Sequence, residues 1–142
     1  MRMIELGGKE YPIYCDMAVL EAVQEEYGTV NEFEKKLIGI KGYKTQKVNG
    51  EEKNVPIYTD PSVKAIRIAA FHMINEAIDV ENEERHEQTP HVSMAEIKRA
   101  KQNAGMMNRI MAVIHEEFME CFESKNGETG QGETEEAKKE AV

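Results

Sequence analysis

The chain has 142 residues, 40% of them hydrophobic and 32% charged, with a formal net charge of −9. That length amounts to one domain, burying roughly two-thirds of its unfolded surface, and the charged fraction is that of a solvated globular exterior. The acidity argues against nucleic acid as a partner, because phosphate contacts need clustered Lys and Arg, and here basic residues are interleaved with acids throughout.

Cys15 and Cys121 are the two cysteines, far apart and without a CxxC spacing. The sequence therefore offers neither a disulfide framework nor a zinc site, which points to a reducing compartment. No apolar run approaches the roughly 18 residues of a membrane span. The N-terminus meets charge at Glu5 after two apolar residues, too soon for a secretory h-region. A cytoplasmic location is expected.

Residues 3–14 read as a β-hairpin. Gly7-Gly8 suits a tight turn with positive φ, and Tyr11, Ile13 and Tyr14 favour strand. Pro12 cannot donate to a ladder, so the second strand belongs at an edge. Asp16 stands where a helix N-cap belongs. Val19, Leu20, Val23 and Tyr27 then follow at helical spacing, and Gly28 suits the helix end. A second, shorter helix is expected with Asn31 as cap, carrying Phe33, Leu37 and Ile38 before Gly39.

Residues 40–58 read as a second hairpin about Asn49-Gly50, the strongest two-residue hairpin signal. Its apolar content is low, so it must be largely exposed, an edge or a flap. Asp60-Pro61 predicts a helix restart, with Asp60 as cap and Pro61 in the first helical position. Val63, Ile66, Ala70, Ile74, Ala77 and Ile78 follow at helical spacing, making this the expected central core helix. It runs down into the solvated stretch Glu81 to Glu87 and is closed by Thr89-Pro90, since a residue before proline avoids the α region.

Ser93-Met94-Ala95-Glu96 is a capping box, opening a short helix to about Asn103. Gly105 marks a bend or weak joint. The last helix carries Met107, Ile110, Met111, Ile114, Phe118, Cys121 and Phe122. The expected fold is mainly α with a small N-terminal β-hairpin, an α+β domain over residues 1–123. From Ser124 to Val142 the composition is glycine- and glutamate-rich with no aromatic residue, an expected disordered acidic tail.

Little chemistry is written in these residues. His72 and Glu76 lie four apart on a helix, a spacing that could present two metal ligands, with a third to come from His86, His91 or His115. A helical hydrogen-bond or salt-bridge pair is the commoner meaning of that spacing, and no metal is expected. His115-Glu116-Glu117 lacks the second histidine of a zincin signature. Cys15 precedes a helix N-terminus, which favours a thiolate, yet no base is indicated beside it. Cys121 falls on the apolar stripe as a small core residue. The glycine pairs do not follow phosphate-loop grammar. Neither catalytic residues nor a cofactor are expected.

Methionine stands out. Nine occur in the chain, and Met106, Met107, Met111 and Met119 gather in the last helix. Methionine fills irregular cores but also adaptable binding surfaces. Met107, Met111, Ile114, Phe118 and Phe122 fill one stripe. Met106, Ile110, Val113 and Met119 are left needing a second surface and form the candidate partner-binding set.

The order of hairpin, Asp-capped helix, short helix, apolar helix, Ser-capped helix and last helix resembles the tail assembly chaperones of long-tailed, siphovirus-type bacteriophages. The resemblance is carried by Gly8-Lys9-Glu10-Tyr11-Pro12-Ile13, by Ala18 to Gly28 with Leu20-Glu21 and Glu26-Tyr27-Gly28, and by Asn31 to Leu37. Val63 to Ala77 and Ser93-Met94-Ala95-Glu96-Ile97 look like the family's central helix and its successor. The likeness spans about Met3 to Phe122. The exposed hairpin and the charged link from Glu81 to Pro90 depart from the family's compact pattern.

The resemblance implies a non-enzymatic function. Such chaperones bind the helical tape measure protein, keep its apolar surface from aggregating, and yield to tail tube protein as the tube polymerises. They act in the host cytoplasm and are not expected in the mature virion. Family members are often made in two lengths by a ribosomal frameshift; the tail would then lead to the extension, with Lys138-Lys139 as a slippery codon pair. A nucleotide sequence lacking a slippery heptamer there would remove that idea. The alternative is a small cytosolic adaptor that binds another helical protein or self-associates, with no role in tails.

Overall fold

A computed structural model describes residues 1–124 of the chain. The acidic tail expected over 124–142 therefore lies, Ser124 apart, outside the described residues. The first hairpin forms as expected: β1 (Arg2–Leu6) pairs antiparallel with β2 (Lys9–Ile13), Arg2 opposite Ile13 and Leu6 opposite Lys9. Gly7 and Gly8 take φ of 60° and 83° at the turn. Ile4, Leu6 and Ile13 on one face are buried, while Met3 on the other is exposed.

Helix α1 (Met17–Tyr27) is capped by Asp16, whose carboxylate accepts from the N–H groups of Ala18 and Val19 at 3.1 and 3.3 Å. Helix α2 (Val30–Ile38) starts two residues earlier than expected, because Thr29 Oγ1 takes the Glu32 N–H at 3.0 Å and makes Thr29 the cap in place of Asn31. Gly39 ends it at φ 86°.

Strands β3 (Ile40–Val48) and β4 (Glu51–Tyr58) form the second hairpin about Asn49 and Gly50, at φ 54° and 82°. Most of its residues are exposed. The ribbon is held at its base, where Thr59 N–H donates to the Gly39 carbonyl at 2.8 Å and Ser62 N–H to the Lys36 carbonyl at 2.9 Å.

Helix α3 (Val63–Arg85) is the core helix, with Ala65, Ile66, Ala69, Ala70, Met73, Ile74, Ala77 and Ile78 all buried. Two expectations at its ends are corrected. Its cap is Ser62, whose Oγ accepts from the Ala65 N–H at 3.1 Å. Asp60 and Pro61 stay outside because the Ser62 backbone is already committed to the end of α2. At the other end the charged run stays helical through Arg85 and stops at His86, which turns left-handed at φ 55°, well before Thr89-Pro90.

The chain then doubles back along α3. Asn82 clasps Thr89 with both ends of its amide, at 2.9 and 3.1 Å, and Asn75 clasps Val92 in the same way, at 3.0 and 2.8 Å. The capping box at Ser93 and Glu96 forms with both of its hydrogen bonds. Helix α4 (Met94–Arg99) is shorter than expected, and residues 100–103 form the joint. Asn103 caps α5 (Ala104–Met119) by accepting from the Met106 N–H at 2.9 Å, so Gly105 lies inside the first turn and is not a bend. The end of α5 loosens into a π-helical turn over Glu120–Ser124. Among the described residues the fold is α+β, five α-helices with two small antiparallel sheets.

Gly39 allows a sharp test of this construction. A Cβ there would strike the Thr59 carbonyl, whereas at Gly28, also at positive φ (87°), a Cβ meets nothing within 4 Å. Gly39→Ala is expected to lose about 3 kcal/mol, strain plus collision, against about 1 kcal/mol for Gly28→Ala, strain alone. Urea unfolding of the two variants checks the difference.

Candidate functional site

The hairpin crosses α5 so as to leave a cleft of about 200 Å³ between β1 and the helix. Met106, Ile110 and Val113 line one wall, Met3 and Ile4 the other, with Arg109, Glu5 and Glu10 at its margins. The three α5 residues stand at i, i+4 and i+7, a single stripe. Ile110 is only 4% exposed and belongs to the core, whereas Met106 and Val113 are half-buried. Met3, at 47% exposure, supplies an apolar lip.

Met119 is not part of this cleft. Thirteen residues on from Met106, it has rotated by roughly 220° about the helix, and it packs against the core elsewhere. Met3 is the wall residue that the sequence did not single out. Its signal was the strand alternation, which faces Met3 away from Ile4 and Leu6.

A second apolar cleft, of about 270 Å³, opens between the start of α3, α4 and the start of α5, lined by Leu6, Val63, Ile66, Ile97 and Met107. Arg67 reaches its wall with a buried Nε that has no hydrogen-bond partner among the described residues.

The polar candidates sort into structural roles. His72 and Glu76 do share a cleft, together with Asp79 and His91. Glu76, however, is hydrogen-bonded to Asp16, and His91 Nε2 lies 2.7 Å from Asp79 Oδ1. Burial holds the His72 imidazole below its ordinary pKa. His115 Nε2 lies 2.9 Å from Glu34 on another side of the molecule, and His86 ends α3. Among the described residues no three His, Cys, Asp or Glu side chains are grouped to hold a metal ion. The thiolate expected at Cys15 is corrected, because burial first, then the neighbouring Cys121 thiol, push the Cys15 thiol well above its ordinary pKa.

Glu117, which the sequence shows only as part of an incomplete zincin-like run, is a buried charge of the fold. One carboxylate oxygen accepts from Arg2 Nη1 at 2.7 Å and the other from the Cys15 N–H at 2.9 Å. Among the described residues no helix is long and apolar enough to cross a membrane. No protein-family model, no curated protein and no solved structure matches this chain.

The Asp16–Glu76 pair makes stability depend on pH. The hydrogen bond that protonated Glu76 donates to the Asp16 carboxylate, then partial burial and the charges of Asp16, Asp79 and Glu83, push Glu76 up to about 7 from an ordinary 4.5. A carboxyl that holds its proton more tightly when folded stabilises fully below its unfolded pKa, and that stability is lost as pH rises through about 7. Glu76→Gln keeps a neutral partner for Asp16 at every pH. His72, shifted the other way, leaves the difference between the two profiles unaffected. The variant is expected to gain on the parent progressively between about pH 4.5 and 7. The gain should level off near 1 kcal/mol, allowing for solvent screening, and denaturant titrations across that range measure it.

Proposed function

We propose that this chain is a non-enzymatic phage tail assembly chaperone, which binds the helical tape measure protein and keeps it soluble until the tail tube polymerises. The observation that supports this most is the cleft between β1 and α5. Its two flexible thioether lips, Met3 and Met106, stand over a rigid floor at Ile110. Apolar side chains projecting from one stripe of an amphipathic helix suit such a groove, and methionine lets one groove accept different side chains. The sequence resemblance supplies the identity of the partner. The chain's net charge of −9 keeps a complex with an aggregation-prone helix in solution.

The test is co-expression with a long helical tape measure protein, sought in the neighbouring reading frame, with only this chain tagged. The partner is expected to become soluble and to co-elute. Met106→Glu and Val113→Glu each place a charge in the cleft without opening the core, and each is expected to lower the co-eluting partner roughly tenfold with an unchanged circular dichroism spectrum. A partner that stays insoluble argues against this form acting alone. A partner soluble by itself, with no co-elution, returns the chain to the generic adaptor.

A further inference from the structure

The two cysteines, remote in sequence, meet in the fold. Cys15 is buried at the junction between β2 and α1, and its backbone N–H donates to Glu117. Cys121 lies four residues beyond Glu117, in the π-helical turn, half-buried against the same core. One helical turn from the carboxylate that holds Cys15, the Cys121 thiol is near enough to help push the Cys15 thiol up. Glu117 thus fixes the backbone of one cysteine and belongs to the helix that carries the other.

We propose that Cys15 and Cys121 form an oxidative modification site, closing an intramolecular disulfide when the folded protein meets a small-molecule disulfide such as oxidised glutathione. In a reducing compartment the pair rests as two thiols. The step balances as two exchanges. Cys121, the more accessible, loses its proton and attacks one sulfur of oxidised glutathione, which releases one glutathione thiolate to take up that proton. Cys15 then loses its proton and attacks the Cys121 sulfur, breaking the mixed disulfide and releasing a second glutathione. Two cysteine thiols are oxidised, and one glutathione disulfide is reduced to two thiols.

Burial raises both thiols, and the carboxylates of Glu117 and Asp16 beside them act in the same direction. Closure is therefore slow near neutrality and quickens about tenfold per pH unit as thiolate forms. The crosslink ties the turn Glu120–Ser124 to the root of the first hairpin, across a contact that the reduced protein already makes.

The test uses the full chain. It is incubated with oxidised glutathione, quenched by alkylation and weighed intact. The expected end product is a monomer lighter by two hydrogen atoms, returned to its original mass by dithiothreitol and melting roughly 5–15 °C higher than the reduced protein. Cys15→Ala should stop at a single glutathionyl adduct on Cys121. Three results would overturn the proposal: parent protein that accumulates the adduct without closing, crosslinks that run between chains, or a folded chain left unmodified where the urea-unfolded chain oxidises. Each is read on the parent sequence and does not depend on a variant folding.

Discussion

The Glu117 carboxylate fastens the first hairpin to the last helix, and the neighbouring elements take their places from it. A carboxylate only 7% exposed costs several kcal/mol unless its charge is met. Here the Arg2 guanidinium at 2.7 Å meets one oxygen and the Cys15 N–H at 2.9 Å the other. Arg2 pairs with Ile13 at the open end of the hairpin, and Cys15 lies two residues beyond Ile13. Both ends of the hairpin are thus drawn to one point on α5. A two-stranded hairpin has little stability of its own. Held at that point, Ile4, Leu6 and Ile13 reach the core, and Tyr14 N–H bonds the Met73 carbonyl of α3 at 3.1 Å. The open cleft beside Met106 is what remains where the hairpin diverges from the helix.

The return of the chain along α3 obeys a different constraint. An irregular segment laid on a helix has backbone groups that must find partners, and the middle of a helix has no backbone N–H left to give to the segment's carbonyls. Asn75 and Asn82, seven residues apart and so on one face of α3, provide the partners instead. Each amide offers a donor and an acceptor to one residue of the returning segment. This also accounts for the length of α3, since Asn82 can serve only if the charged stretch around it is helical. Val92 is thereby buried and Ser93 delivered to the start of α4, which closes the second cleft above Leu6 and Met107.

What the sequence discloses of this fold is what neighbouring residues decide among themselves. Gly7-Gly8 and Asn49-Gly50 require positive φ wherever the chain goes, and the Ser93–Glu96 box closes on itself. The Asp16 cap and the α3 core stripe are local in the same sense. The caps Thr29 and Ser62 escaped because several capping residues crowd each start. At Ser62 the choice also turns on a bond to Lys36, which no local pattern displays. The Met106, Ile110 and Val113 stripe followed from helical period. Met119 falls outside that stripe by the same period, roughly 220° round the helix from Met106, so the set expected from the sequence joins two sides of α5. Glu117 and the Cys15–Cys121 contact join residues more than a hundred positions apart, beyond the reach of any spacing argument.

Under the proposed function, the size of the cleft constrains how the chaperone would work. About 200 Å³ admits one or two apolar side chains of a partner helix, not a whole face. Such a contact is far smaller than a standard stable interface, and association must first overcome the loss of free motion of both molecules. One copy would therefore hold the helix weakly. Many copies along a repetitive amphipathic helix would cover it through the sum of weak contacts, each able to let go without the others. That arrangement suits a partner that must be surrendered progressively to polymerising tube subunits, because an advancing subunit need outcompete only the copy in front of it. A deep, rigid, high-affinity groove would protect the helix as well but would stall its release. The half-exposed methionine lips over a fixed isoleucine floor lie at the weak and adaptable end of that range.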